Sequence, residues 1–280
     1  MSTHTDTHAV PSLALNDGNR IPQLGFGVFQ VPSDDTTDVV RHALRTGYRS
    51  IDTAAAYENE AGVGKAIASS GIARDELFLT TKLANDDHGR DRAHRALHQS
   101  LERLGQDYVD LYLIHWPVPA RDLYVGTWEA LIELRDEGLA RSIGVSNFLP
   151  EHIERIVDAT AVTPVINQVE VHPRFQQQEL RRSHEQHGIL TEAYSPLGQG
   201  SILDDRVIER IASAHHRTPA QVVLRWHMQL GNVVIPKSAT PERIEENFSL
   251  FDFELSEDEM KAIGQLESGE RIGGDPATFS

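Results

Sequence analysis

Apolar residues in this chain alternate between short continuous runs and stripes spaced three and four residues apart. The runs are Gly25–Phe29, Tyr48–Asp52, Leu77–Lys82, Val109–Trp116, Ser142–Asn147, Val165–Val169, Ile189–Tyr194 and Val233–Lys237. Near-continuous apolar segments of this length suit strands buried on both faces of a parallel sheet. Between them, Val39, Val40, Ala43 and Leu44, then Val63, Ala66 and Ile67, then Ala93, Leu97, Leu101 and Leu104 recur at helical spacing. Trp128, Leu131, Ile132 and Arg135 continue the series in a helix stopped by Gly138. Further helices are expected around Leu180–His187, Ile208–Ala214 and Val222–Leu230, the last opened by the capping box Thr218-Pro219-Ala220-Gln221. Ahead of the alternation, Leu13-Ala14-Leu15 and Ile21 flank Asn16-Asp17-Gly18-Asn19, which predicts a short hairpin outside the main sheet.

Eight strands with helices between them, in about 250 residues, predict an α/β fold of the closed (β/α)8 TIM-barrel type with an N-terminal β-hairpin. An open doubly wound sheet is the alternative. Gly25 and Gly27 do not make a dinucleotide fingerprint, because the run continues Gln30-Val31-Pro32 with neither a third glycine nor an opening helix. No linker or shift of composition divides residues 1–280, so a single domain is expected, with residues 1–12 disordered and 266–280 a short C-terminal tail.

Composition removes several function classes. With 26 basic and 42 acidic residues, a net charge of −16 argues against nucleic acid and acidic membranes as partners. There is no cysteine, hence no thiol nucleophile, disulfide or Cys-based zinc site. No segment reaches the roughly 20 apolar residues of a membrane span, so a soluble, cytoplasmic protein is expected. His94, His98 and Glu102 share a helix face and His184 and His187 lie a turn apart, but both sets read as solvated surface and no metal site is expected.

In a barrel, the C-terminal ends of the strands share one rim, where active sites sit. Asp52, Lys82, His115, Asn147, Gln168, Tyr194 and Lys237 all fall there. Tyr57 follows Asp52 closely enough for its phenol to return over the mouth. A phenol is a poor acid near neutrality; an ammonium at Lys82 would favour the phenolate, and Asp52 would keep Lys82 charged. His115 could then donate to a substrate oxygen. Such a site polarises and protonates a carbonyl, and reduces it if a hydride donor lies alongside. Taken singly, each residue also has an ordinary reading. Asp52 and Lys82 could be a structural ion pair, His115 a core histidine, Tyr194 and Trp116 packing aromatics, Lys237 and Arg243 helix-end charges.

Four motifs decide between these readings: Gly47-Tyr48-Arg49-Ser50-Ile51-Asp52-Thr53-Ala54, Gly144-Val145-Ser146-Asn147-Phe148, Asn167-Gln168-Val169-Glu170 and Ile235-Pro236-Lys237-Ser238. With them the chain resembles the aldo-keto reductase family from about residue 13 to about residue 265, most closely its bacterial diketo-gluconate reductase branch. The resemblance implies a (β/α)8 barrel, NADPH bound without a Rossmann domain, and a tetrad that falls on Asp52, Tyr57, Lys82 and His115. It places Ser146, Asn147 and Gln168 at the nicotinamide carboxamide and Tyr194 against the nicotinamide ring. Ser195 and Leu197, in the turn Ser195–Gly200, would line the pyrophosphate with backbone N–H groups. Lys237, Ser238 and Arg243 would hold the ribose phosphate, with Glu246 and Asn247 at the adenine.

Phe29, Trp116 and Tyr57 are expected to wall the substrate pocket. The tail after Glu267 is glycine-rich and almost free of bulky side chains, which suggests an open pocket for small dicarbonyls or keto-sugars. The family's usual monomer is the default expectation. Two rival functions remain, a barrel aldolase using Lys82 as its amine and a non-catalytic NADPH-binding sensor or scaffold module.

Overall fold

The computed structural model describes residues 10–279. A two-stranded antiparallel hairpin, β1 (Ser12–Ala14) and β2 (Arg20–Pro22), opens the chain. The strand–helix alternation follows as β3 (Phe26–Gly27), α1 (Ser33–Thr46), β4 (Ser50–Asp52), α2 (Glu60–Ala68), β5 (Phe78–Leu83) and α3 (Arg90–Leu104). It continues through β6 (Val109–Ile114), α4 (Tyr124–Asp136), β7 (Ala140–Ser146), α5 (Pro150–Thr160), β8 (Ile166–Glu170), α6 (Gln178–Gln186) and β9 (Leu190–Tyr194). Two helices, α7 (Arg206–His215) and α8 (Pro219–Gln229), precede β10 (Val233–Val234), and α9 (Pro241–Phe248) and α10 (Glu257–Gly264) complete the outer layer.

Strands β3 to β10 pair in parallel in sequence order. The ring closes where Leu24 bridges Val234 in parallel, with Gly25 N donating to the Val234 carbonyl at 2.8 Å and Val234 N to that of Gln23 at 3.0 Å. Closure leaves little room between first and last strands: a Cβ on Gly27 would stand 2.9 Å from the Ile235 carbonyl oxygen. Gly27 thus serves close backbone approach, while Gly25 leaves room for the Ser50 and Ile235 side chains. β10 is shorter than its apolar run because Pro236 has no N–H to donate; its carbonyl still accepts from Gly27 N at 3.1 Å.

The hairpin plugs the end of the barrel away from the rim. Ile21, with no solvent exposure, and Leu15 pack against Phe78, Leu111, Leu113, Val165, Ile166 and Val233. Asp17 accepts from the Ser142 hydroxyl at 2.7 Å and fixes the turn to β7. Disorder was expected over residues 1–12, but Val10 packs on the core and the Pro11 carbonyl accepts from Gln23 N, so residues 10–12 are tied to the barrel by the pairing of β1 with β2. Residues 1–9, the rest of that expectation, lie outside the described residues.

In the second histidine pair His187 is exposed as expected, but His184 departs from the surface reading. His184 is buried, with its ring between the Asn167 amide and the Thr191 hydroxyl at 2.9 Å each, because its helix face turns onto β8 and β9. Burial pushes it down to about 3, so it packs as a neutral imidazole. His94 does lie near the surface, paired with Glu133 at 3.0 Å.

Because Ile21 fills the closed end, Ile21→Ala is expected to cost about 2–5 kcal/mol of stability. The measurement is urea unfolding; a loss well under 1 kcal/mol would mean the hairpin is not part of the core.

Candidate active site

The rim opens into a cleft of about 1400 Å³. Asp52 ends β4, His115 follows β6, Ser146 ends β7 and Asn147 follows it, Gln168 lies in β8, Tyr194 ends β9 and Lys237 follows β10. All of these line the cleft, as do Phe29, Tyr57, Trp116, Ser195, Leu197, Ser238, Arg243, Glu246 and Asn247. Lys82 stands just behind the wall, with no solvent exposure.

Lys82 is the centre of the reactive cluster. Its ammonium donates to Asp52 Oδ1 at 2.6 Å, to the Thr53 carbonyl at 2.9 Å and to the Tyr57 hydroxyl oxygen at 3.4 Å. Three N–H bonds and three acceptors leave none unused. Burial works against the charge on Lys82, but the carboxylate of Asp52, helped by Tyr57, outweighs it and holds the pKa above the ordinary lysine value. An amine that firmly protonated is unsuited to Schiff-base attack, which sets the aldolase alternative aside.

Tyr57 closes a 3-10 turn, Ala55–Tyr57, that brings its ring back over the mouth. Asn59 secures this turn from behind. It accepts from the Thr53 hydroxyl at 2.8 Å and donates to the Val28 and Val31 carbonyls at 2.9 and 3.2 Å, joining the loops after β3 and β4. The phenol also meets the His115 ring, 5.6 Å away between centroids, and that of Phe29 at 5.1 Å.

The expected tilt toward phenolate is reversed. Burial raises the Tyr57 pKa more than the Lys82 ammonium lowers it, with Asp52 and Glu192 adding to the rise. Tyr57 therefore keeps its proton. His115 is pushed down to about 3, first by burial and then by the positive charge of Lys82, so it is a neutral imidazole at ordinary pH.

A polar chain runs from this cluster across three strands. Gln168 Nε2 donates to Asp52 Oδ2 at 2.8 Å and to Glu192 Oε2 at 2.9 Å. Ser146 donates to the Gln168 carbonyl at 2.8 Å, and Asn147 Nδ2 to the His115 carbonyl at 3.1 Å. Tyr194 donates to Asn147 Oδ1 at 2.9 Å. Sequence reasoning missed Glu192 and Asn59; Glu192 sits inside the Ile189–Tyr194 run and Asn59 two residues past Tyr57, but only the folded geometry shows what they hold.

Toward the other end of the cleft, Lys237 and Arg243 are exposed and Ser238 Oγ accepts from Thr240 N at 3.1 Å, just before α9. Glu246 accepts from the Thr218 hydroxyl at 2.6 Å, tying α9 to α8. Two of the N–H groups in the expected row along Ser195–Gly200 are used within the segment, those of Gly198 and Gly200, and not those of Ser195 and Leu197. Gly198 N bonds to the Ser195 carbonyl at 2.9 Å and Gly200 N to that of Leu197 at 2.8 Å, because the segment folds into a tight 3-10 turn.

The tail is the main correction. The Glu170 carboxylate accepts from Ile272 N at 2.7 Å and Gly273 N at 2.6 Å, while His172 Nε2 lies 2.9 Å from the oxygen that Ile272 N meets. Gly273 and Gly274 thereby line the cleft, and Phe279 stacks on Trp116 with centroids 4.0 Å apart and planes 20° apart. Few side chains did not leave the pocket open. The backbone itself docks, and the last aromatic residue caps the wall.

Sequence comparison agrees with this geometry. The aldo/keto reductase family model matches residues 23–268. The chain is 57% identical to an aldo-keto reductase of Mycolicibacterium smegmatis over 96% of this chain and 98% of that one. It is 53% identical to the methylglyoxal reductase DkgA of Escherichia coli over 95% and 97% of the two chains. Among solved structures, an aldo/keto reductase from Brucella melitensis superposes with a TM-score of 0.91 at 55% identity, covering 93% of this chain and 99% of the other. A mutant of Gox0644 in complex with NADPH superposes at 0.94 and 51% identity, covering 97% and 99%. A closed barrel with Lys82, Asp52, Tyr57 and His115 gathered at its rim, matched along almost the whole sequence, places the chain in the aldo/keto reductase family.

Proposed function

We propose that this protein reduces small aldehydes and ketones, dicarbonyls or keto-sugars among them, to alcohols with NADPH, and that Tyr57 is the proton donor. The observation that carries the reading is the hydrogen bonding of a fully buried Lys82 ammonium to both Asp52 and the Tyr57 hydroxyl, facing His115 across the mouth. Similarity to a methylglyoxal reductase and to a protein crystallised with NADPH supports the choice of substrate class and cofactor.

The cleft suits a long anionic dinucleotide. Gln168 and Tyr194 stand at the reactive end and the cations Lys237 and Arg243 at the other, in a chain otherwise rich in carboxylates. With Nε2 committed to two carboxyl groups, Gln168 offers Oε1 as an acceptor for a carboxamide. Tyr194 offers a flat face for a ring, and Arg243, in the first turn of α9, suits the phosphate that distinguishes NADPH from NADH. When bound, the dinucleotide supplies the hydride.

The protein's own groups do the rest. The neutral His115 ring donates to the carbonyl oxygen and orients it, and Tyr57 Oη passes its proton to that oxygen as the carbon is reduced. Lys82 holds the negative charge left on Tyr57, which it could not do as a neutral amine. Asp52 balances Lys82 in the resting site. Phe29, Trp116 and Phe279 enclose the substrate end with apolar surface and keep the reacting carbonyl away from bulk water.

The basic test is loss of NADPH absorbance with methylglyoxal and a panel of small carbonyls; no oxidation with any of them would sink the reading. Tyr57→Phe should lower kcat by about a hundredfold or more while NADPH binding, read by quenching of protein fluorescence, is retained. Arg243→Ala should weaken NADPH by about tenfold or more and leave NADH nearly unchanged. Equal weakening would remove Arg243 from the phosphate. Gly273→Val brings a Cβ that would stand 2.8 Å from Glu170 Oε2, so it should lift the tail and raise KM for the carbonyl with NADPH affinity kept.

A further inference from the structure

We infer that Glu192 is a positioning residue that sets the charge seen by the Tyr57 hydroxyl, acting through Gln168 and the Asp52–Lys82 pair. The inference rests on the reading of Tyr57 as proton donor. Glu192 lies in β9, buried, and it points into the same polar cluster as the tetrad without belonging to it.

The geometry carries the argument. Both hydrogens of the Gln168 amide are used, one on Asp52 and one on Glu192, so a single neutral group bridges two carboxyl groups. Lys82 is the cation among them, and its three N–H bonds already go to Asp52, the Thr53 carbonyl and Tyr57. Among the described residues Glu192 therefore has no cation of its own. The groups facing it are Asp52 on β4, Lys82 on β5, Gln168 on β8 and the apolar Val233 paired with it on β10, with Tyr57 beyond Lys82.

With Asp52 and Lys82 cancelling, a protonated Glu192 leaves the cluster neutral, and an ionised one leaves it a full negative charge out of balance. Burial, followed by the charge of Asp52, pushes Glu192 up to about 8, with the Gln168 hydrogen bond and Lys82 pulling the other way. The cluster thus changes charge just above neutrality. A negative charge on Glu192 raises the affinity of Tyr57 for its proton and makes it a poorer acid. Glu192 passes no proton to substrate; it alters the donor by its field alone.

The same pKa predicts a stability signature of defined sign. A carboxyl that binds its proton more tightly folded than unfolded, where it titrates at about 4.3, contributes stability that is lost as pH rises from there through about 8. Glu192→Gln keeps the amide contact with a neutral isostere and should be free of that loss.

The test compares wild type and Glu192→Gln in two ways. For NADPH oxidation with saturating methylglyoxal between pH 6 and 9.5, the wild-type kcat should fall through an ionisation near 8, and in the variant that break should vanish. An unmoved break overturns the inference. For urea unfolding without ligands, the wild-type midpoint should decline relative to the variant between about pH 5 and 8, whereas a constant difference overturns it. If the variant does not fold, infrared difference spectra of the wild type decide: a buried protonated carboxyl band should be present at pH 6 and gone by pH 9.5, and its absence at pH 6 overturns the inference. A wild type that oxidises no NADPH would end the reductase reading, and the unfolding series would still decide the charge of Glu192.

Discussion

A charged amine with no solvent contact sets the terms for everything near it. Removing an ammonium from water costs several kcal/mol, and that cost is offset only if each N–H meets an acceptor in good geometry. For Lys82 those acceptors come from β4 and the loop that follows it: Asp52, the Thr53 carbonyl and Tyr57. The β4–β5 register, with Asp52 opposite Thr80, is therefore fixed by more than apolar packing. A slip of one residue would turn Lys82 to the other face of the sheet and leave Asp52 without its cation. The turn that carries Tyr57 is held in the same spirit by Asn59, whose amide ties the loops after two adjacent strands into one piece.

Much of this could be read from the chain. The eight apolar runs and the helical stripes between them favour a parallel barrel over an open sheet, and a barrel places the residue ending each strand on a common rim. That is why Asp52, Lys82 and His115 could be gathered without coordinates. What could not be read were relations between strands distant in sequence. Gln168 reaches Asp52 and Glu192 from a different strand, and nothing in the local pattern of β8 says so. The protonation of Tyr57 was misjudged for a related reason: the ammonium beside it was legible and the depth of burial was not. His184 looked like surface because its helix is rich in charged residues, although its own face turns inward.

The tail shows a second limit of side-chain reasoning. Residues 271–274 offer little to pack, yet they dock because the buried carboxylate of Glu170 meets two consecutive backbone N–H groups. Glycine at 273 permits the approach, since any Cβ there would collide with that carboxylate. Burial opposes the charge on Glu170, but His172 and these two N–H groups outweigh it and hold the pKa below the usual glutamate value. A segment poor in bulk can thus be rich in donors, and the aromatic contact of Phe279 with Trp116 then fixes its far end.

The closure of the ring by Leu24 and Val234 bears on how the chain is made. Until the segment around Val234 has left the ribosome, the N-terminal residues Gln23–Gly27 present backbone groups without partners, as does the growing C-terminal edge. A nascent chain of this protein therefore carries two open parallel edges for most of its synthesis, the condition under which sheets recruit foreign strands. The brevity of β3, only two residues, keeps the N-terminal edge a poor template during that interval.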